Sequence, residues 1–304
     1  MQRTMKKILI TGANGFLGSN FTRFFVDSKK YSVILTSQKC PEIAKDDDLP
    51  FHSGNLLDES FLESLLRQEK PDVIINTVSL VNVDLCEEKP DLARQITVQT
   101  AKNLAVAAKK YRTRLLYIST DQVFDGKNRM YTEEDVPNPI NQYGQTKLEA
   151  ERVTRHHLPE AVIIRTNFFG WSPAGHVPTF GEWVYNSLKS GKPMHLFTNF
   201  FFTPIEVTYL SEAIDTIIPA GFSGLVNITG TDRCSKYEFG IALADICGFD
   251  PSPIEPVEMS PVSLRAKRPE DMSLSNKKYE NTFHARLPTL HESLIRFRDS
   301  AGHT

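Results

Sequence analysis

Short apolar runs alternate with longer amphipathic runs through the first half of the 304-residue chain, and this alternation constrains the fold most. Two of the apolar runs, Val-Ile-Ile at residues 73–75 and Val-Ile-Ile at residues 162–164, contain no polar residue. Strands of this kind are typical of a parallel sheet that helices cover on both faces. The rhythm therefore predicts an α/β fold built on a Rossmann-type, doubly wound parallel sheet.

The pattern also predicts two parts of different texture. In the first, strands are expected at 6–10, 32–37, 50–53, 72–77, 114–120 and 161–167, and helices at 16–28, 59–69, 92–110 and 143–156. After residue 167 prolines and aromatic residues become dense, with helices expected at 179–189, 208–219, 236–247 and 289–299. A strand at 225–229 is expected to return to the main sheet. We therefore predict a Rossmann domain over 1–167 and a smaller, irregular substrate-binding part over 168–304, with a ligand cleft between them.

Composition excludes several classes of protein. The formal net charge of −2 gives no global basic field, so we expect neither nucleic acid nor a membrane surface as partner. The chain has no run of about 18 apolar residues, which predicts no membrane span. The four cysteines are scattered and form no CxxC pair, which favours a reducing compartment and hence the cytoplasm. The eight histidines show no ligand spacing for zinc.

A glycine-rich loop, Thr-Gly-Ala-Asn-Gly-Phe-Leu-Gly at residues 11–18, joins the first predicted strand to the first predicted helix. Its first two glycines permit a tight turn and close approach to a pyrophosphate, while the third permits close packing of helix on strand. The free N–H groups at the helix start attract phosphate. A plain strand–helix turn is the alternative, but the order strand, loop, helix favours a dinucleotide site. The predicted cofactor-binding residues here are Gly12, Asn14, Gly15, Phe16, Leu17 and Gly18.

The residues after the second predicted strand bear on which nicotinamide cofactor binds. An acidic side chain at this point binds the ribose 2′-hydroxyl of NAD. Residues 35–39 contain no acid, and Ser37 and Lys39 could instead bind a 2′-phosphate. This favours NADP(H), and NAD(H) stays the alternative if Lys39 is only a solvated loop lysine.

Tyr143 and Lys147 lie four residues apart on a predicted helix, and therefore on one face of it. An ammonium group near a phenol lowers the phenol pKa, so Tyr143 could give a proton to a carbonyl oxygen as hydride arrives. Lys147 could also hold the nicotinamide ribose. Thr120 ends a strand at the ligand-binding edge of the sheet, and its hydroxyl could contact the same oxygen. The spacing alone is also typical of a surface pair; the order of motifs favours catalysis.

These motifs resemble the extended short-chain dehydrogenases/reductases and, among them, the dTDP-4-dehydrorhamnose reductase family. The resemblance runs from about residue 6 to residue 297. It is carried by the glycine loop and by Pro-Asp-Val-Ile-Ile-Asn at 71–76, Val-Asp-Leu-Cys-Glu at 83–87, Ile-Ser-Thr-Asp-Gln-Val-Phe-Asp-Gly at 118–126, Asn-Gln-Tyr-Gly at 141–144 with Lys147, Arg-Thr at 165–166, and Arg-Pro-Glu-Asp-Met-Ser-Leu at 268–274.

The resemblance implies hydride transfer from NADP(H) to C4 of a 4-keto-6-deoxyhexose on a nucleotide diphosphate. It implies Tyr143 as the proton donor, Lys147 as its helper and Thr120 as the second carbonyl partner. Further cofactor contacts are implied for Asn55 and Leu56 beside the adenine and for Thr77, Val78 and Ser79 after the fourth strand. Residues implied at the substrate are Val81, Asp84, Asp121, Gln122 and Phe168.

Some positions depart from the family. Gln122 stands where a tyrosine is usual and Phe168 where a tryptophan is common, and both changes affect the sugar pocket. Bacterial members have a glutamate after the glycine loop that helps bind magnesium at a dimer contact. Here the chain has Ser19 and Asn20, so we predict no metal and expect a monomer or a homodimer of another kind.

A late basic cluster is a candidate site for the substrate diphosphate. It comprises Arg265, Lys267 and Arg268, with a solvated basic surface as the alternative. The surrounding motif favours Arg268 as the substrate contact. The phenylalanines at 197 and 200–202 could stack on a nucleotide base, but a core position is more typical.

Two other functions remain open from the sequence. A non-catalytic NADP-binding regulatory subunit, such as the β subunit of methionine adenosyltransferase, resembles the same subfamily and can retain the same motifs. A nucleotide-sugar epimerase or dehydratase of the superfamily is the other. Dehydratases typically carry an Asp-Glu pair beside the catalytic threonine, and Gln122 after Asp121 disfavours dehydration.

Overall fold

The computed structural model describes residues 5–173, 176–259 and 265–301. The strands are β1 (Lys6–Thr11), β2 (Tyr31–Ser37), β3 (Phe51–Ser53), β4 (Val73–Asn76), β5 (Arg114–Ile118), β6 (Val162–Arg165), β7 (Phe168–Phe169), β8 (Met194–Phe197), β9 (Phe201–Phe202), β10 (Ile205–Glu206), β11 (Gly224–Asn227), β12 (Cys234–Ser235) and β13 (Ile254–Val257). The α-helices are α1 (Phe16–Ser28), α2 (Glu42–Asp46), α3 (Glu59–Glu69), α4 (Val83–Glu88), α5 (Pro90–Ala93), α6 (Thr100–Tyr111), α7 (Gln142–His157), α8 (Phe180–Lys189), α9 (Val207–Ile217), α10 (Lys236–Cys247), α11 (Lys277–Phe283) and α12 (Leu290–Asp299).

A seven-stranded sheet in the order β11-β6-β5-β4-β1-β2-β3 forms the centre of the fold. The pairs from β3 to β6 are parallel, and β1 lies between β2 and β4. The Rossmann-type parallel sheet expected from the sequence is confirmed. Strand order reverses between β1 and β4, and ligands of such sheets bind at the carboxyl ends of the strands at this point.

Contacts along the chain divide it into two compact units. The first unit contains residues up to 119, 142–164 and 217–225, and the second contains 120–141, 165–216 and the residues from 226 onward. The units therefore do not follow the single predicted boundary after residue 167. Residues 120–141 leave the end of β5 and pack with the C-terminal residues, whereas 217–225 lead into β11 at the sheet edge.

Apolar side chains on the strands and helices form the core of the first unit. Leu9, Ile34 and Ile74 are at most 1% exposed and pack with the leucines of α3. On α6, alanines allow the helix to lie close to the sheet. Since strands buried on both faces cannot alternate with polar residues, this core accounts for the uninterrupted Val-Ile-Ile runs.

The long helix predicted over 92–110 is divided in the structure. It begins as α5, continues as a π-helical segment at Arg94–Gln99 and ends as α6. The wider turn contains Thr97, which is fully buried and whose hydroxyl oxygen accepts a hydrogen bond of 3.1 Å from the backbone N–H of Leu80. The π-helical segment thus supports the loop that follows β4, and such segments frequently mark functional sites.

The second unit is held together by aromatic residues. Phe169 contacts Phe239 and Phe297 edge-on, with ring centroids 5.1 and 5.5 Å apart. Trp171 stacks on Phe297 at 4.4 Å, and its indole N–H donates to the Phe297 carbonyl oxygen. The dense aromatics after residue 167 therefore serve mainly as core, and so does Phe202, which is 2% exposed.

Candidate functional site

The glycine loop has the geometry of a phosphate cradle. Gly12 has a φ of +70°, and a Cβ added there would lie 2.7 Å from Oγ1 of Thr77. A Cβ added to Gly18 would lie 2.2 Å from the Gly12 carbonyl oxygen. Helix α1 begins with Gly15 as its N-cap residue, without a side-chain cap. Only glycine fits at the two crowded positions, and the N-cap residue of α1 makes no side-chain cap at this helix start.

The other predicted residues of this loop surround the turn. Asn14 and Phe16 are half-buried, Gly15 is exposed and Leu17 is buried in the core beneath the helix. The Ser19 hydroxyl donates to the Ala13 carbonyl oxygen at 2.9 Å. The backbone of the loop is therefore fixed from the helix side as well as from the strand.

Ser37 and Lys39 lie in one tight turn at the end of β2. The Ser37 hydroxyl donates a hydrogen bond of 2.5 Å to the Lys39 carbonyl oxygen, and the Lys39 side chain is exposed. Nearby, the Asn55 side chain accepts from the Leu57 backbone N–H at 3.0 Å, and Leu56 is 7% exposed in the core. The turn thus presents one hydroxyl and one ammonium group and no carboxylate.

The loop after β4 touches the glycine loop at the point where the strand order reverses. The Thr77 hydroxyl donates to the Thr11 carbonyl oxygen at 2.7 Å, and the Val78 N–H donates to the Asn76 side chain at 3.0 Å. Ser79 lies 3.4 Å from the Thr97 hydroxyl. Further along, Val81 is 69% exposed, and Asp84 is half-buried in the first turn of α4.

Helix α7 places Tyr143, Lys147 and Glu151 at successive turns. Lys147 is 4% exposed; its Nζ donates to the Ile118 carbonyl oxygen at 2.6 Å and lies 4.6 Å from the ring centroid of Tyr117. Burial lowers the pKa of Lys147 to about 7, while the charge of Glu151 acts to raise it. Tyr143 is half-buried. The helix therefore holds a desolvated lysine one turn beyond a partly accessible phenol.

Sequence reasoning missed three buried residues beside Lys147. Glu151 is 4% exposed and accepts a hydrogen bond of 2.5 Å from the Ser119 hydroxyl. Tyr117 is fully buried, and burial raises its pKa well above the ordinary value. Tyr143, Lys147 and Glu151 are spaced at i, i+4 and i+8 and so lie on one face of a helix. This spacing in the sequence could have predicted the glutamate beside Lys147.

In the second unit, Thr120 and Asp121 form a hydrogen-bonded group. The Thr120 hydroxyl donates to Asp121 Oδ1 at 3.0 Å and accepts from the Gln122 N–H at 3.3 Å. Asp121 is 1% exposed and accepts a further hydrogen bond from Asn167. Burial raises the pKa of Asp121 to about 6. Asn141 donates to the Gln122 side chain at 3.2 Å, which holds this side chain in place.

Arg268 lines a cavity of about 420 Å³ that lies wholly within the second unit. Its Nη1 donates to the Ala266 carbonyl oxygen at 3.0 Å, while Arg265 and Lys267 are exposed. The lining also includes Lys127 and the acids Asp125 and Glu270. Phe168 is half-buried in β7, which pairs with β10.

The described ranges hold neither a membrane-spanning helix nor a cluster of metal ligands. No helix within residues 5–173, 176–259 and 265–301 is long and apolar enough to cross a membrane. Over the same ranges, no three His, Cys, Asp or Glu side chains come together as a metal site.

Comparison with known proteins identifies the family. The model of the RmlD substrate binding domain matches residues 5–301. A solved dTDP-4-dehydrorhamnose reductase from Clostridium acetobutylicum is 31% identical, with a TM-score of 0.83 over 96% of this chain and 98% of that one. A dTDP-4-dehydrorhamnose reductase from Bacillus anthracis, solved in complex with NADP, shares the fold with a TM-score of 0.86 at 24% identity over 98% of this chain and all of that one. Subunit beta of methionine adenosyltransferase 2 from Rattus norvegicus is 31% identical over 90% of this chain and 82% of that protein. The chain therefore belongs to the RmlD substrate-binding-domain family, a family of oxidoreductases within the extended short-chain dehydrogenases/reductases.

Proposed function

We propose that this protein uses NADPH to reduce the 4-keto group of a 6-deoxyhexose carried on a nucleotide diphosphate. The observation that carries the proposal is the buried Lys147, which is hydrogen-bonded to the Ile118 carbonyl oxygen one helical turn beyond Tyr143. A lysine is seldom buried without a functional or structural reason, because desolvation disfavours its charge. Its combination with the glycine loop in one unit supports a nicotinamide-dependent reaction.

The residues of the first unit fit a dinucleotide. The crowded glycines and the uncapped start of α1 would hold the pyrophosphate, and the turn containing Ser37 and Lys39 would hold a 2′-phosphate. Thr77, Val78 and Ser79 would border the nicotinamide half, with Asn55 and Leu56 toward the adenine. When bound, the nicotinamide would supply hydride to the carbonyl carbon of the sugar.

Side chains of the protein would supply the proton that the reaction consumes. Tyr143 would donate its phenolic proton to the carbonyl oxygen as that oxygen gains negative charge, so that the ketone becomes an alcohol. The Lys147 ammonium would stabilise the phenolate left on Tyr143 and hold the ribose hydroxyls. On substrate binding the Thr120 hydroxyl would turn its proton from Asp121 Oδ1 to the carbonyl oxygen, and the two donors together would polarise the carbonyl.

We assign the remaining predicted residues to the substrate. Arg268 would pair with the diphosphate, because a guanidinium offers paired donors to phosphate oxygens. Val81, Asp84, Asp121, Gln122 and Phe168 would surround the sugar. The similarity to a 31% identical dTDP-4-dehydrorhamnose reductase supports this substrate class.

The state of the cysteines supports a cytoplasmic location. Cys40, Cys86, Cys234 and Cys247 are all free. Burial raises the pKa of Cys86 to about 11 and that of Cys234 to about 12, so both stay as thiols at neutral pH. Free thiols of this kind are typical of a reducing compartment.

NADPH oxidation in the presence of 4-keto nucleotide sugars tests the proposal. The wild-type protein should turn over at least one dTDP- or UDP-linked 4-keto-6-deoxyhexose. Tyr143→Phe should lower kcat by about a hundredfold or more, since general-acid catalysis contributes at least that factor. Full turnover by the phenylalanine variant would refute the assigned proton donor.

A second candidate is a regulatory subunit that binds NADP(H) without catalysis. The 31% identity to subunit beta of methionine adenosyltransferase 2 favours it. In that case no 4-keto sugar nucleotide would support NADPH oxidation, although NADPH itself would bind. A partner synthetase would then be retained on the immobilised protein, and Tyr143→Phe would retain it equally well.

A further inference from the structure

Lys236 projects from a firmly fixed point in the second unit. It is the first residue of α10, and Ser235 before it forms a capping box with Glu238. The Lys236 backbone N–H donates to the Phe200 carbonyl oxygen at 3.1 Å. The adjoining strand β12 pairs antiparallel with β9. The start of this side chain is therefore held by the helix cap on one side and by a strand on the other.

Three phenylalanine rings surround the ammonium group. Lys236 Nζ lies 3.4 Å from the ring centroid of Phe202, 4.0 Å from that of Phe180 and 5.4 Å from that of Phe200. Ring faces attract a cation, but they do not replace the oxygen acceptors that an ammonium group has in water. The rings thus stabilise the charge, but they accept no conventional hydrogen bond from the N–H groups of Lys236.

No oxygen among the described residues accepts a hydrogen bond from Lys236 Nζ, and no carboxylate oxygen lies within ion-pair distance. The side chain is half-buried, and burial lowers its pKa to about 8. The ammonium form therefore predominates at neutral pH. The half-buried ammonium keeps N–H donors that no described residue accepts, so it can donate to a group from outside the chain.

Asp121 connects Lys236 with Thr120, one of the proposed catalytic residues. The Asp121 carboxylate and the Lys236 ammonium attract each other. Both carboxylate oxygens of Asp121 are already engaged, one by the Thr120 hydroxyl and the other by Asn167. Lys236 therefore shares its electrostatic surroundings with the residue beside Thr120, and all of these residues belong to the second unit.

The chemistry around Lys236 suits a sugar ring better than a phosphate. An ammonium donates hydrogen bonds to the hydroxyl oxygens of a pyranose. A phosphate would call for several converging cations, whereas Lys236 is the only cation that lies over these three rings within the described residues. We infer that Lys236 donates a hydrogen bond to a hydroxyl oxygen of the substrate hexose and so determines specificity for the sugar. This inference rests on the proposed function of the same site.

Lys236→Met is the variant that isolates this contact. Methionine keeps a flexible stem of similar length and packs well against aromatic rings, yet it has neither charge nor donor. Lys277→Met is the matched control, because Lys277 is also the first residue of a helix but is exposed. The ligands are dTDP-glucose and dTDP, of which only the first carries the hexose. Calorimetry gives the Kd of each with NADP+ present, and circular dichroism checks folding.

Lys236→Met should raise the Kd of dTDP-glucose by between about tenfold and a hundredfold, which is the range for one hydrogen bond to a charged group. The Kd of dTDP should stay as in the wild type. Equal losses for both ligands, or no loss for either, would overturn the inference. If the methionine variant does not fold, Lys236→Leu, which also has neither charge nor donor, takes its place and should lose affinity for dTDP-glucose selectively. Wild-type protein that binds neither ligand would refute a dTDP-linked substrate in the proposed function as well, whereas normal wild-type binding with an unaffected variant refutes only the role of Lys236.

Discussion

Ser119 and Glu151 are joined by a buried hydrogen bond of 2.5 Å from the serine hydroxyl to the carboxylate. Ser119 follows the end of β5, and Glu151 lies one helical turn beyond Lys147 on α7. Each of the three side chains is at most 4% exposed. The bond therefore holds a negative charge near the buried ammonium group and fixes α7 against the sheet.

Replacing Glu151 with glutamine should change the pH dependence of kcat. Burial lowers the pKa of Lys147 to about 7, and the glutamate charge opposes that effect, so the pKa falls further when the charge is removed. If the ammonium form is active, activity is lost as pH rises through this pKa. The alkaline limb of the kcat profile of Glu151→Gln should then move to lower pH, and activity on that limb should fall about tenfold for each pH unit by which the limb moves.

Glu149→Gln is the matched control for this change. Glu149 lies on the same helix and pairs with Arg94 at 2.7 Å, but the arginine is largely exposed and such pairs contribute little. Its pH profile should superimpose on that of the wild type. Superimposed profiles for Glu151→Gln as well would show that the glutamate does not tune Lys147.

Gly18→Ala should weaken NADPH binding by about tenfold or more. The new Cβ would lie 2.2 Å from the Gly12 carbonyl oxygen, and backbone cannot yield as a side-chain end can, so the loop must move. Gly15→Ala is the milder comparison, because its Cβ would lie 3.2 Å from the same oxygen. Fluorescence titration with NADPH measures both. Equal affinities for the two variants would contradict the crowding argument.

Several helices were predictable from the sequence because their ends are set by local chemistry. The predicted bounds of α1, α3 and α10 agree with the structure. Asp58 caps α3 by accepting two backbone N–H groups, and Ser235 caps α10 with Glu238 three residues on. Such caps depend on residues within one turn, and a sequence displays them directly.

Features that depend on distant parts of the chain were not predictable in the same way. The π-helical segment at Arg94–Gln99 responds to the loop after β4, through the contact of Thr97 with Leu80. The phenyl rings around Lys236 come from residues 180, 200 and 202, which no periodic pattern brings together. The grouping of residues 120–141 with the C-terminal unit is likewise a tertiary outcome.

Ser37→Asp should reverse the preference for the cofactor. The Ser37 hydroxyl lies in the turn with Lys39, and a carboxylate there would repel a 2′-phosphate and accept the ribose 2′-hydroxyl of NADH. Lys39→Ala should weaken NADPH binding by roughly tenfold, since it removes one phosphate contact, and it should leave NADH binding unchanged. Lys45 is an exposed lysine on α2, and Lys45→Ala should change neither the KM for NADPH nor the KM for NADH. Wild-type protein that favours NADH would exclude this site for the 2′-phosphate.

Glu206→Gln should stabilise the protein, and more so as the pH rises. Glu206 is 2% exposed, and burial raises its pKa from 4.5 to about 7. Because the folded state then binds the proton more tightly than the unfolded state, stability falls as pH rises from about 4.5 through 7. The full effect is roughly 3 kcal/mol, since each tenfold change in proton affinity corresponds to about 1.4 kcal/mol. Glutamine has no proton to lose, and it can still accept the hydrogen bond of 2.9 Å from the Thr208 N–H.

Urea unfolding at pH 5 and pH 8 measures the difference. The gain in unfolding free energy of Glu206→Gln over wild type should be larger at pH 8, whereas Glu134→Gln, at an exposed position, should show no such difference. The nearby Arg296 draws the Glu206 pKa downward. Arg296→Met, which keeps Glu206, should therefore lose more unfolding free energy between pH 5 and pH 8 than the wild type does. A gain that is the same at both pH values would mean that the Glu206 carboxyl is ionised throughout this range and that burial does not hold its proton.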